Sequence, residues 1–137
     1  MHNKIYETVA HTADLQLNFF GATKQELFAH ALQGMFTAVQ PRYSADEMHE
    51  YTVQVTAANS ELLLADFLSE ALYLADANGI AFRRAEILTI SDTAVTAKLF
   101  GSPILGYAVV EIKAVTYHNL KIRKLHNEWI ATVVFDI

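Results

Sequence analysis

At 137 residues, with 53% hydrophobic side chains and a formal net charge of −5, the chain is sized for one domain, 1–137, with a sizeable core. It is too acidic to coat nucleic acid nonspecifically. It contains no cysteine, which excludes disulfides, zinc–thiolate centres and cysteine nucleophiles and accords with a reducing, cytoplasmic setting.

The opening residues, MHNKIYETVAHTAD, lack the apolar run of a secretory leader. Residues 4–9 and 14–20 read as strands. In the second, Leu15, Leu17 and Phe19 alternate with Asp14, Gln16 and Asn18, the period of a half-buried strand. Gly21 breaks the pattern, and Thr23 with Glu26 forms a T-x-x-E capping box. The helix it opens carries Leu27, Phe28, Ala31, Leu32, Met35, Phe36 and Val39 on one face, and Pro41 stands just past its end. Residues 50–57 alternate again, with Tyr51, Val53 and Val55 together. A second helix is predicted from Ser60 to Asn78, with Gly79 as its C-cap. Its segment ELLLADFLSEALYLA is interrupted by Asp66 and Glu70, so it reads as a core helix and no membrane association is expected.

Beyond Gly79 the chain reads as strands. AEILTI and AVTAKLF flank Ser91-Asp92-Thr93 as a hairpin, and VVEIKAVTYHNLKIRKL is a long extended run. EWIATVVFDI returns beside it through a two-residue turn at His126-Asn127. Pro41 and Pro103 are read as loop markers. The order of elements predicts an α+β fold, a two-layer sandwich with two helices packed on a mostly antiparallel sheet. Basic residues gather late in the chain, at Lys113, Lys121, Arg123 and Lys124, while Asp46 to Asp76 carries no lysine or arginine. This arrangement is either two solvated faces or a bipolar surface suited to a protein partner.

The final strand poses the functional question. Trp129, Ala131, Val133, Phe135 and Ile137 share one face; Ile130, Thr132, Val134 and Asp136 share the other. Buried, Asp136 would need a proton, a cation or a metal; at an open strand end it would simply be solvated. With Ile137 as the chain end, an α-carboxylate would lie beside it. Joined by Asp14, these groups would form an oxygen-only set of the kind that takes hard cations, Ca²⁺, Mg²⁺ or Mn²⁺. Spacing alone does not bring the two ends together.

Other residues allow two readings. His11 and His118 suit a general base and its partner, although a structural hydrogen bond at the strand entry serves His11 as well. Tyr117 and His118 suit either a partner surface or sheet packing. Trp129 and the Phe19-Phe20 pair read as core. No glycine-rich phosphate loop is present, so nucleotide binding in the P-loop manner is not expected.

HTADLQL, KAVTYHNLKI and VVFDI, in that order, resemble the archease family, and DFLSEALYLADANGIAF resembles that family's second helix. The resemblance covers nearly the whole chain. It implies a small α+β protein that supports the RtcB-type, GTP-dependent RNA ligase of tRNA splicing and RNA repair. Such a protein speeds formation of the ligase's guanylated histidine and allows multiple turnover. The resemblance also implies a divalent cation, Ca²⁺ or else Mg²⁺ or Mn²⁺, held by Asp14, Asp136 and the terminal carboxylate of Ile137, and a functional role for Lys113. The protein would then be no enzyme itself and would reach RNA only through the ligase. Two alternatives belong to other classes. One is a metal-dependent hydrolase or phosphotransferase built on Asp14 and Asp136, against which the lack of a nucleophile–base pair counts. The other is a chaperone-like binding module.

Overall fold

The computed structural model describes residues 4–9, 14–44, 46–107 and 111–137. Strands β1 (Tyr6–Val9) and β2 (Leu15–Gly21) precede helix α1 (Lys24–Ala38). β3 (Pro41–Tyr43) and β4 (His49–Thr56) lead to α2 (Ser60–Asn78). The long hairpin β5 (Ile80–Ile90) and β6 (Ala94–Tyr107) follows, then β7 (Ala114–Val115), β8 (Lys121–Leu125) and β9 (Glu128–Asp136).

The α+β class holds, but the strands form two sheets where one was expected. The first runs β1-β2-β9-β7, with β8 also pairing β9; the second runs β3-β6-β4, with β5 on the other edge of β6. Every pairing among the described residues is antiparallel. Both helices pack against strands of both sheets, so their apolar faces join the inner faces in one core. Phe19 and Phe135 meet edge to face at 6.4 Å, and Phe28 of α1 meets Phe67 of α2 at 5.7 Å.

Local signals set the helix ends. The Thr23 hydroxyl accepts from the Glu26 N–H at 3.1 Å, while the Glu26 carboxylate reaches back to the Ala22 N–H at 3.2 Å. The box is therefore closed one residue earlier than its usual form. The Asn59 side chain accepts from the Leu62 N–H at 2.9 Å, and Gly79 takes the left-handed conformation (φ +63°) that ends α2. Asn59→Ala leaves that N–H without its cap and is expected to cost about 1 kcal/mol in urea unfolding. His126 and Asn127 both have positive φ, 53° and 65°, as a tight two-residue hairpin turn requires.

Two readings of the late chain need correction. The run 109–125 is not one strand: β7 and β8 are separated by a turn in which Asn119 adopts φ 54° and Leu120 N–H reaches Tyr117 O at 3.4 Å. Neither proline marks a loop. Pro41 begins β3, and Pro103 lies within β6, between the stretch paired with β4 and the stretch paired with β3. The Ser44 N–H donates to Pro103 O on that same edge. Pro103 sits where β6 changes partner, so its missing N–H breaks no ladder bond.

Candidate functional site

The antiparallel register answers what spacing could not. β2 and β9 pair with Leu15 opposite Phe135 and Gln16 opposite Val134. One step further along, Asp14 falls opposite Asp136 and on the same face of the sheet. On the other side of β9, Ala114 pairs with Asp136, and the Lys113 N–H donates to Asp136 O at 2.8 Å. That register sets Lys113 across from Ile137. Asp14, Lys113, Asp136 and Ile137, all singled out in the sequence, thus share one end of one sheet, with Asp14 and Asp136 on one face and Lys113 and Ile137 on the other.

Burial along the Asp136 face changes abruptly. Ile130 and Val134 are 7% and 2% exposed, whereas Asp136 itself is exposed. The carboxylate is therefore solvated at an open strand end, the second of the two alternatives. Asp14 differs from it: the residue is half-buried and its Oδ1 is shut off from solvent. Among the described residues, no group of three or more His, Asp or Glu side chains is gathered as a metal centre. The donors at this end are two side-chain carboxylates and main-chain oxygen.

Lys113 is exposed and borders a depression of about 300 Å³ whose other wall is α2, through Ser69, Leu72, Tyr73 and Asp76. Asp76 has a carboxyl pKa raised above the usual value, first by its partial burial and then by the charge of Glu111. A raised value means that the stabilising protonated form prevails at low pH and is lost as pH climbs through the carboxylate range and above it. Asp76→Asn should therefore stabilise the protein near neutral pH and change nothing near pH 3. With the side chain largely in solvent, the gain is roughly a few tenths of a kcal/mol, measured as Tm against pH.

Tyr117 is 60% exposed, and its hydroxyl donates to Asp66 of α2 at 2.6 Å. That hydrogen bond, then the charge of Asp66, then slight burial raise the phenol pKa. His118 is exposed beside it, with its N–H on the Thr116 hydroxyl at 3.3 Å. Both therefore face solvent rather than packing into the sheet. His11 lies outside the described residues. Trp129 is half-buried against the core, with Lys24 and Lys124 over its ring at 5.9 and 5.5 Å.

The sequence reading missed the α2 residues that border this end. Asp66, Tyr73 and Asp76 recur at near-helical intervals on the exposed side of α2. That polar stripe, rather than any motif, was the available signal.

Comparison with known proteins places the chain in a family. The Archease protein family model matches residues 6–137. Protein archease of Methanosarcina barkeri is 35% identical over 98% of this chain and 97% of its own length. That of Pyrococcus abyssi is 31% identical over 98% and 99%. Among solved structures, Methanobacterium thermoautotrophicum protein 1598 superposes with a TM-score of 0.72 at 22% identity, covering 97% of this chain and 99% of that one. A Thermotoga maritima archease, described as a possible chaperone, gives 0.69 at 23% identity over 99% and 100%. At those identities the two structures establish the shared fold. The extent of the family match and the curated relatives establish more: this chain belongs to the archease family.

Proposed function

We propose that this protein is an accessory activator of an RtcB-type, GTP-dependent RNA ligase, promoting ligase guanylation and multiple turnover without being an enzyme itself. The observation that carries the reading is the meeting of Asp14, Asp136 and Lys113 at one end of the β2-β9-β7 sheet in a chain of this family. Asp14 and Asp136, with main-chain oxygen of Ile137, make an all-oxygen donor set of the type taken by Ca²⁺, Mg²⁺ or Mn²⁺. The solvent-shielded Oδ1 of Asp14 fits such a role, and the exposed Asp136 leaves the end open to a partner. A bound divalent cation would supply positive charge against phosphate oxygens.

Guanylation is phosphoryl transfer, in which positioning and charge neutralisation do most of the work. The ladders on both sides of β9 hold the strand end that carries Asp136 in register with its neighbours. Lys113 offers an exposed ammonium to a phosphate or to a ligase carboxylate. Tyr117, held by Asp66, and His118 line the approach on the side of α2. At this end of the sheet, RNA is reached only through the ligase, in a cytoplasmic setting.

The direct test is ligase guanylation with and without this protein. Lys113→Ala should lower the stimulation roughly tenfold, about 1.4 kcal/mol of barrier, while circular dichroism and cation affinity stay unchanged. Undiminished stimulation would make Lys113 a solvated sheet lysine. A second reading, chaperone-like binding, rests on the description of the Thermotoga maritima relative. Its exposed apolar side chains would include Met48, Leu88, Leu105, Leu125 and Ile137, which are spread over β5, β6, β8 and the segments before β4 and after β9. Immobilised protein recovering one ligase supports the activator; many unrelated clients support the chaperone.

A further inference from the structure

A groove of about 590 Å³ opens between the last turns of α1 and the beginnings of β3 and β5. Its floor is apolar and stiff. The Phe82 ring meets Phe36 and Tyr51 edge to face, each at 5.7 Å, and Met48, 49% exposed, leaves apolar surface uncovered at the mouth. The β5 wall is basic. A β-bulge between Phe82 and Arg84 leaves Arg83 as the extra residue, so two successive arginines reach the groove. Each guanidinium lies over a ring, Arg83 on Tyr43 at 4.6 Å and Arg84 on Phe100 at 3.9 Å. Neither forms an ion pair with a carboxylate among the described residues. In a chain of net charge −5, two adjacent arginines without an acid are a retained positive site. These ring contacts also limit the freedom that their N–H forks lose when an anion binds.

The helix wall has the opposite polarity. It presents the C-terminal turn of α1, with Gln33 and Thr37, and Gln40 just beyond the helix, with no basic residue. The carbonyl end of a helix carries partial negative charge. That wall repels an anion, and the side-chain amide oxygens of Gln33 and Gln40 accept hydrogen bonds from amino and imino groups. A ligand fitting both walls bears an anion at one end, an uncharged flat body and polar N–H groups at the other.

We propose that this groove binds a nucleoside monophosphate unit, with the phosphate on Arg83 and Arg84 and the base over Met48 toward Gln33 and Gln40. The unit is either a free nucleotide or the phosphorylated terminal nucleotide of an RNA. The site is independent of the ligase reading, and its test uses no ligase.

The test is calorimetric titration of the full chain with AMP, GMP, CMP and UMP, the parent nucleosides, inorganic phosphate, and short RNAs with and without a 5′-phosphate. A glutamate-rich peptide serves as the competing class. Mononucleotides should saturate with Kd of roughly 0.1 mM, and nucleosides and phosphate alone should bind at least about tenfold more weakly, since each lacks one end. R83Q/R84Q should weaken binding about tenfold or more. Gln40→Glu, which leaves both arginines in place, should also weaken it by adding a charge to the helix wall. Both variants should melt within a degree or two of the parent. Tighter binding of the 5′-phosphorylated RNA than of mononucleotides assigns the RNA end as the source, and the reverse order assigns the free nucleotide. No saturable nucleotide binding, equal binding by the acidic peptide, or full affinity in both variants would overturn the proposal.

Discussion

Asp136→Asn is expected to lower affinity for Ca²⁺ or Mn²⁺ at least tenfold, about 1.4 kcal/mol, and to remove most of the stimulation of ligase guanylation, with the fold intact. The reason lies in what the substitution leaves alone. The Asp136 side chain is exposed, while its main chain stays paired with Ala114 and accepts from Lys113 N–H. An amide of the same shape therefore preserves the strand end and deletes only the charge. Hard cations bind neutral amide oxygen, but far less strongly than carboxylate when few ligands share the load. In EDTA the variant should melt at or slightly above the parent temperature, because repulsion between Asp136 and the facing Asp14 is relieved and no bound ion contributes by linkage. Calorimetric titration and the guanylation assay separate two failures. Unchanged cation affinity removes Asp136 from the donor set. Lost affinity with undiminished stimulation shows that the cation is irrelevant to the ligase.

Gly21→Ala is expected to cost about 3 kcal/mol of stability, more than any exposed substitution considered above. Gly21 ends β2 opposite Trp129, three residues before α1 begins at Lys24. A Cβ placed there would stand 2.4 Å from Leu27 N and 2.7 Å from Leu27 Cα, both backbone atoms. A side chain could rotate away, but the first turn of α1 cannot. Leu27 N–H is bonded to Thr23 O at 2.9 Å, and the Leu27 side chain is fully buried. Relief requires the helix to move off the sheet, with loss of packing over Leu27 and Phe28. Urea unfolding should show a lower midpoint with the slope unchanged. A loss under about 1 kcal/mol would mean that β2 and α1 separate more easily than this packing implies. Gly79 is needed for a different reason: its φ of +63° is the constraint, and nothing lies within 4 Å of its Cβ position.

Gly21 and the acidic end belong to the same strand, and between them they link fold to function. β2 begins at the proposed cation site and ends in the contact that seats α1. Its core-facing residues Leu17 and Phe19 are fully buried, and Phe19 packs on Phe135 of β9. Any change that loosens the β2–β9 pair should therefore also separate Asp14 from Asp136. For this reason, cation affinity can report on strand pairing as well as on ligand chemistry.

By itself, the sequence determined what depends on a few consecutive residues. Thr23 and Gly79 mark helix ends because a cap is made within four residues, while Asn59 as the cap of α2 came from the structure. The His126-Asn127 turn follows from a two-residue break between two extended runs, and the face that carries Asp136 follows from strand parity. Only the tertiary structure decided the matters that depend on partner choice. These include the division of the strands into two sheets, the passage of β6 through Pro103 where it exchanges β4 for β3, and the seating of Tyr117 on Asp66. The meeting of Asp14, Asp136 and Lys113 is of the same kind, since it depends on β9 pairing with β2 on one edge and β7 on the other. An alternating strand offers the same N–H and C=O groups to any neighbour. Its partner is selected by the burial of the whole core, in which residues more than a hundred positions apart, such as Phe19 and Phe135, must pack together.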